Sequence, residues 1–257
     1  MEFCMLGPVE AWADGERIRL GPAKVRCVLA VLLRTPGMLV MTDALVDRVW
    51  DLHLPGPSVR YKYVSHLRAA LRPHGVDLIS TDGGYLLDVD EEQVDLHRFR
   101  RCTTAARAAL AQESLGDAAR LLGEGLELWH GLAVTGLTGS WAELFRSQLE
   151  SERRDARMLF ARCALDVGHP AQALEQLTQW EGDYPADEQI IALRMIALYR
   201  CGRQMEAVAC YRGAERRLRT KHGADPGPNL QALLHRVLMR DPTLSDERFA
   251  AAAILPN

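Results

Sequence analysis

The first 90 residues begin and end with patterns that are typical of short β-strands. Apolar residues dominate Phe3–Val9 and Ile18–Leu20, and an Asp-Gly turn lies between these two runs, which predicts a hairpin. Leu78–Ser80 and Tyr85–Leu87 flank a Thr-Asp-Gly-Gly turn in the same way. We therefore predict one pair of strands at each end of this segment.

Between the two hairpins, apolar residues recur at helical spacing in three stretches. The first starts at Pro22 and ends before Pro36, and the second, TDALVDRVW, has Thr42 as its predicted N-cap. The third starts at Ser58, after a Pro-Gly-Pro break, and ends before Pro73. Its predicted core-facing residues are Val59, Tyr63, Val64, Leu67 and Leu71. The order of hairpin, three helices and hairpin predicts an α+β domain of the winged helix-turn-helix class.

From residue 93 onward the pattern becomes helical, with Ala-rich amphipathic stretches separated by turns that contain Gly or Pro. Small or apolar residues recur 34 positions apart in one register, as Gly168 and Gly202, Ala173 and Ala207, and Leu174 and Val208. This distance is the tetratricopeptide period, which favours an all-α domain of tetratricopeptide-like helical repeats. A generic helical bundle is the alternative.

An acidic stretch, Asp88–Glu92, separates the two patterns. We therefore predict a winged-helix domain over residues 1–90, an all-helical domain over residues 93–242 and a C-terminal tail over residues 243–257. The segment VDLHRFRR, which follows the acidic stretch, is expected to begin the first helix of the second domain and to pack against the winged helix.

Charge is distributed unevenly along the chain. The formal net charge is −3, yet residues 17–72 hold ten Lys and Arg residues against three acids. Residues 58–72 contain four of these cations, His66 and no acid. A basic stretch of this kind is typical of a phosphate-binding surface, and a solvated helix face is the alternative.

Several classes of chemistry lack their sequence motifs. The chain has no nucleotide-binding glycine loop, no nucleophile elbow and no zinc-binding H-E-x-x-H, and no two histidines lie three or four residues apart. The six cysteines form no C-x-x-C pair, the N-terminus lacks the basic region of a signal peptide, and no apolar run approaches the roughly 20 residues of a membrane span. We therefore expect a cytoplasmic protein with reduced thiols that is not an enzyme and has no cofactor, metal or membrane partner.

Six longer segments carry a family resemblance: GPAKVRCVLAVLLRTPGMLV, TDALVDRVW, YVSHLRAAL, TDGGYLLDVDEEQVDLHRFRR, ALYRCGRQMEAVACYRGAERRL and GADPGPNLQALLHRVL. Over residues 3–242 the chain resembles the Streptomyces antibiotic regulatory protein family. In that family an OmpR-type winged helix, the effector domain of many two-component regulators, precedes a bacterial transcriptional activation domain. The resemblance implies an activator of a secondary-metabolite (antibiotic) gene cluster. Such an activator binds direct repeats of double-stranded DNA near the −35 element, as a homodimer or side-by-side pair, and recruits RNA polymerase holoenzyme with its sigma factor.

The third predicted helix is the candidate for reading DNA, because a helix enters the major groove with its outward face. If the apolar residues face the core, the outward residues are Ser58, Tyr61, Lys62, Ser65, His66 and Ala69. The resemblance implies base contacts by Lys62 and His66, and phosphate contacts by Tyr63, Ser65 and Arg68. Many members have Arg at the position of His66 and an apolar residue at that of Lys62. The candidate DNA-binding residues are Thr42, Ser58, Arg60, Tyr61, Lys62, Tyr63, Ser65, His66, Arg68, Arg72, Gly83 and Gly84.

Some assignments stay open. Arg60 either contacts phosphate or lies across the domain surface, and Arg68 either contacts phosphate or forms an ion pair with an acid such as Asp47. Gly83 and Gly84 allow a tight turn whose backbone can approach the minor groove. The alternative for the whole chain is a helical-repeat interaction or ligand-sensing regulator whose winged helix mediates protein contacts. The acid-free stretch on the third helix favours DNA binding.

Overall fold

The computed structural model describes residues 1–51, 56–180 and 182–245. The predicted break at Pro55 and the part of the predicted tail beyond residue 245 lie outside the described residues. Over the described ranges, none of the helices combines the length and the apolar content that a membrane crossing requires.

The chain divides into two compact units, of which the first comprises residues 1–104 and 124–154 and the second residues 105–123 and those from 155 onward. The strands, all in the first unit, are β1 (Glu2–Cys4), β2 (Glu10–Ala13), β3 (Glu16–Arg17), β4 (Val40–Met41), β5 (Asp77–Thr81) and β6 (Gly84–Asp88). The helices wholly within the first unit are α1 (Ala23–Leu33), α2 (Thr42–Trp50) and α3 (Pro57–Leu71). Helices that contribute residues to both units are α4 (Asp95–Ala111), α5 (Leu115–Glu127) and α6 (Ser140–Asp166). The second unit also contains α7 (Pro170–Trp180), α8 (Glu188–Arg200), α9 (Gln204–His222) and α10 (Pro228–Leu238).

The strands of the first unit form two small antiparallel sheets, with the orders β1-β2-β3 and β4-β6-β5. The turn between β2 and β3 contains Asp14 and Gly15, both at positive φ, which is the geometry of a tight hairpin turn. In the second sheet Leu78 pairs with Leu87, so the predicted C-terminal hairpin is present. β4 was not predicted, because two residues are too few to show an alternating pattern.

The predicted N-terminal strands differ from the observed ones. Phe3–Val9 is not one strand, because β1 ends at Cys4 and the backbone that follows forms hydrogen bonds with residues 130–135 instead of with β2. The N–H of Val134, for example, donates to the Met5 carbonyl at 2.9 Å. Ile18–Leu20 forms no strand either. The Ile18 N–H donates to the Ala11 carbonyl of β2, and the chain leaves the sheet after this bond.

The three helices predicted between the hairpins are present as α1, α2 and α3. Residues on nearly every side of α1 are buried, because α2 and α3 both pack against it. The prediction that Thr42 is an N-cap is wrong, since Thr42 is the first residue of α2 and the N-cap position belongs to Met41. The N–H of Thr42 instead donates to the Gly83 carbonyl at 2.7 Å, so the turn between β5 and β6 satisfies this amide.

The start of α4 is bound to the N-terminal segment through a buried carboxylate. Asp95, which is 6% exposed, accepts hydrogen bonds from the N–H groups of Met5 at 2.9 Å, Leu6 at 3.0 Å and Leu96 at 2.7 Å. Burial raises the pKa of the Asp95 carboxyl to about 6, although these hydrogen bonds oppose the shift. The VDLHRFRR segment therefore begins a helix, as predicted, but its residues bind the N-terminal segment and belong to the first compact unit rather than to the second.

In the second unit, α8 is buried along nearly its whole length, because α7, α9 and α10 all pack against it. Positions 34 residues apart have matching environments. Gly168 and Gly202 have φ values of 85° and 73° in the turns that precede α7 and α9. Ala173 and Ala207 are both completely buried, which allows neighbouring helices to approach closely.

Candidate nucleic-acid interface

The position of α3 follows from its apolar stripe and its first turn. Pro57 occupies the first helical position, where its missing N–H would have no helical partner in any case. Val64, Leu67 and Leu71 are at most 1% exposed, and the helix packs against α1 and β5. The opposite side of α3 is therefore left to solvent.

Two residues predicted to face the core do not join this stripe. Val59 is 42% exposed, because at about 100° per residue it lies roughly 110° around the helix from the mean direction of the three buried residues. Tyr63 is half-buried at the edge of the stripe, and its ring centroid lies 5.6 Å from that of Trp50. The prediction that Val59 faces the core is thus wrong, and the buried stripe starts one turn later.

The residues predicted to face outward share one concave surface of about 640 Å³. All of them are exposed except the half-buried Ser65. We call this set the outer face of α3, and its members are Ser58, Tyr61, Lys62, Ser65, His66 and Ala69. Polar, cationic and small side chains thus lie together on a surface that no part of the first unit covers among the residues described.

The cations of this region differ in how far they reach into solvent. Lys62 and Arg72 are exposed, and neither forms an ion pair within the part of the chain that the structure describes. Arg60 is half-buried with its Nε enclosed, so its stem lies against the protein surface. Lys62 is therefore the cation that α3 presents most openly on its outer face.

Arg68 is held by the second hairpin. Its Nε donates to the Leu78 carbonyl at 2.9 Å, and its Nη2 donates to the Ser80 hydroxyl at 2.7 Å. The alternative of an ion pair with Asp47 is wrong, because both partners of this guanidinium are neutral groups of β5. Arg68 therefore braces α3 against the hairpin.

The ring of His66 lies against the segment that precedes α1. A Cβ atom on Gly21 would lie 2.7 Å from the Nε2 atom of His66, so the imidazole occupies space that any other residue at position 21 would need. Gly21 also has a φ of +85°, which favours glycine. Gly21 thus helps to position His66 on the outer face.

The turn between β5 and β6 is shaped by the sheet. Gly84 is buried, and a Cβ atom there would lie 2.5 Å from the Val40 carbonyl oxygen. Gly83 is exposed at the tip with a φ of +96°. The close approach of β4 therefore accounts for Gly84, whereas Gly83 is exposed at the tip with its carbonyl bonded to the Thr42 N–H.

Comparison with known proteins decides the family. Residues 94–238 match the family described as bacterial transcriptional activator domain. The transcriptional regulator RedD of Streptomyces coelicolor is 34% identical over 255 residues, which cover 95% of this chain and 72% of RedD. The chain belongs to the Streptomyces antibiotic regulatory protein family. It is thus a member of a family of transcriptional activators.

Other members of the Streptomyces antibiotic regulatory protein family and its relatives differ in length. The regulatory protein AfsR of Streptomyces coelicolor is 36% identical over 98% of this chain, but the chain spans only about a quarter (26%) of AfsR. EmbR of Mycobacterium tuberculosis, solved in complex with a low-affinity phosphopeptide, has a TM-score of 0.84 at 29% identity. That match covers 98% of this chain and 69% of the EmbR chain. The mostly helical fold with small sheets is therefore shared with a solved relative.

Two residues that line the concave surface, Arg19 and Ala70, are absent from the predicted outward set, and Arg19 is the charged one. Arg19 lines this surface beside the outer face of α3. The neighbouring Ile18 and Leu20 are buried while Arg19 is exposed. The alternation of apolar, charged and apolar residues directly before Gly21 could have identified Arg19 from the sequence. In extended backbone, two buried neighbours direct the side chain between them toward solvent.

Proposed function

We propose that this chain activates transcription by binding specific DNA sequences with the outer face of α3. The observation that carries the proposal is the presence of Lys62 and His66 on one exposed concave surface whose lining contains no acid among the described residues. The major groove presents acceptor atoms on guanine and adenine and is flanked by phosphates. A cationic, acid-free helix face complements both features.

The proposed division of roles on this face follows from helical geometry. Lys62 and His66 lie four residues apart and therefore project from the same side of the helix. Lys62 donates to O6 or N7 of guanine, and His66 donates to a purine N7. Contacts with the DNA backbone come from surrounding candidates, namely Thr42, Ser58, Arg60, Tyr61, Tyr63, Ser65, Arg72 and Gly83. Arg68, bound to β5, and Gly84, packed against β4, support the interface from within the domain.

We further propose that residues 1–90 form a winged helix-turn-helix, with β5 and β6 as the wing, and that residues 93–242 form an activation domain of helical repeats. The order of strands and helices supports the first assignment. The equivalent glycines and buried alanines 34 residues apart support the second. Asp95 belongs to the first compact unit, so the proposed boundary near residues 90–93 does not coincide with the division into compact units. It separates the proposed DNA-binding part of the chain from the proposed activation part.

We propose that the protein acts as a pair on direct repeats. A single DNA-binding module buries only about 600–1,000 Å² of protein surface, which limits its affinity, and two adjacent copies add their contacts. Head-to-tail copies would contact half-sites about one helical turn, or 10–11 bp, apart. At promoters of a secondary-metabolite gene cluster, near the −35 element, such a pair can recruit RNA polymerase holoenzyme with its sigma factor. A requirement for an inverted repeat, or full affinity for one half-site, would contradict this arrangement.

A gel-shift titration of the full chain on duplexes from neighbouring promoters, at 50 and 200 mM salt, tests the proposed DNA binding. Each phosphate contact contributes a slope of about −0.9 to the logarithmic dependence of affinity on salt, so binding should weaken steeply. An affinity that does not change with salt, or no binding to any duplex, would reject DNA as the ligand of α3 and favour protein contacts.

A further inference from the structure

Arg19 shares the concave surface of the α3 outer face although it belongs to a different element. It lies in the segment between β3 and α1, and the surface is lined on its other sides by Lys62, His66 and their neighbours on α3. The candidate interface therefore extends beyond a single helix.

The direction of the Arg19 side chain is fixed by the residues around it. Ile18 is 9% exposed and Leu20 is 4% exposed, so both neighbours are anchored in the core while Arg19 faces solvent. Two residues later, Gly21 meets the imidazole of His66. The segment is thus held against α3 at a defined place.

The charge of Arg19 is not neutralised by the protein. Glu10, which lines an adjoining depression of about 490 Å³ with Arg19, is already bound to Arg17 at 2.8 Å. Within the described ranges no acid lies at ion-pair distance from Arg19. An exposed guanidinium without an acidic partner, next to a base-reading surface, is suited to a phosphate oxygen.

We infer that Arg19 binds a DNA backbone phosphate and so adds a contact outside α3. This inference rests on the proposed function. Arg19 should therefore strengthen binding to all DNA sequences alike, because a phosphate contact carries no direct sequence information.

Arg19→Ala in the full chain tests the inference, with Arg17→Ala as the matched control, since Arg17 lies two residues away but is paired with Glu10. The probes are a duplex selected by the wild-type protein from a random pool and a duplex of scrambled sequence. One lost phosphate contact reduces the salt slope by about 0.9, which corresponds to about an eightfold weaker affinity at 0.1 M salt. Arg19→Ala should weaken both probes by this factor, Arg17→Ala should leave both within twofold, and Arg19→Lys should restore the slope.

The outcomes separate this inference from the proposed function. If the wild-type protein binds neither probe in a salt-dependent way, the proposed function fails and the inference falls with it. If the wild-type protein binds but Arg19→Ala keeps the wild-type slope, only the inference is overturned. A loss of affinity confined to the selected probe, or a lower melting temperature in place of a changed slope, would also overturn it.

Discussion

The helices α3 and α9 both carry several basic residues, but they place them in different surroundings. On α9, Arg219 lies 3.3 Å from Glu215, which stands among the cations of the helix, and 2.6 Å from Asp225, which follows the helix. On α3 the sequence contains no acid, and Lys62 has no ion-pair partner among the described residues. The number of cations in a helix is therefore a weaker sign of a phosphate-binding surface than the absence of acids at neighbouring helical positions.

Asp95 extends this comparison to a buried acid whose hydrogen-bond partners are backbone N–H groups of the protein itself. Replacing it with Ala leaves the N–H groups of Met5, Leu6 and Leu96 without their acceptor, and each unsatisfied buried group costs about 1–3 kcal/mol. We expect Asp95→Ala to lower the free energy of unfolding by at least about 3 kcal/mol in urea titrations. Asp90→Ala, which removes an exposed side-chain cap, is the control and should cost about 1 kcal/mol. Equal losses in the two variants would contradict the role of Asp95.

The same carboxyl predicts a pH dependence of stability. Its pKa in the folded protein is raised to about 6 by burial, above the unfolded value near 3.8, so the folded state keeps this proton to higher pH. The contribution of Asp95 to stability is therefore greatest below about pH 4 and falls as the pH rises to about 6. Urea titrations across this range should show that fall in the wild-type protein relative to Asp95→Asn. A difference between the two proteins that rises over the same range would refute the assignment.

An acid placed on the outer face of α3 should remove the feature that distinguishes this helix from α9. Lys62→Glu replaces the proposed base-edge donor with a group that the phosphates repel, and we expect about a 100-fold loss of DNA affinity. Arg212→Glu, at an exposed position of α9, makes the same change in charge outside the proposed interface. Fluorescence anisotropy with a selected duplex compares the two variants, and similar losses in both would show that only overall charge matters.

Arg68 is a cation of α3 whose guanidinium is hydrogen-bonded within the protein. Like the paired cations of α9, it should contribute to stability rather than to DNA binding. Arg68→Ala removes two hydrogen bonds to β5, each worth about 0.5–1.5 kcal/mol, and should lower the melting temperature. Arg72→Ala, at an exposed position directly after the same helix, should leave the melting temperature unchanged. A melting temperature equal to wild type in Arg68→Ala, with only DNA affinity reduced, would assign Arg68 to phosphate binding instead.

The smallest expected effect concerns Gly21. Gly21→Ala should destabilise the protein by about 1 kcal/mol through its positive φ and should displace the His66 ring, which changes the preferred base at one position. Gly15→Ala has nearly the same φ of +81° but nothing within 4 Å, so it should reproduce the loss of stability without the change in sequence preference. Selection of bound sequences with both variants checks this. An unchanged motif for Gly21→Ala would show that Gly21 does not position the His66 ring for base recognition.

Much of the first unit was predictable because its signals are local. Helical spacing located α3, and the outer face emerged correctly once Val64, Leu67 and Leu71 were placed in the core. Val59 was misplaced because it lies four residues before Tyr63, which is at the edge of the stripe, although its own direction is well off that of the buried residues.

The remaining features depend on contacts between residues that are far apart in the sequence. The bond from Val134 to the Met5 carbonyl, which shortens β1, joins segments more than a hundred residues apart. The binding of Arg68 by β5 and the contact of Gly21 with His66 also arise only after the chain has folded. Propensity and spacing contain no information about such partners, so these features could not be derived from the sequence.

Selection of bound DNA from a random pool, carried out with the wild-type chain, Lys62→Ala and His66→Ala, tests most directly whether the outer face of α3 reads bases. The account predicts one motif for the wild-type chain, with each variant losing preference at its own position and binding the wild-type motif about 1–3 kcal/mol more weakly. Melting curves of the two variants should match that of the wild-type chain, because both side chains are exposed. If both variants select the wild-type motif unchanged, the outer face of α3 does not read the sequence.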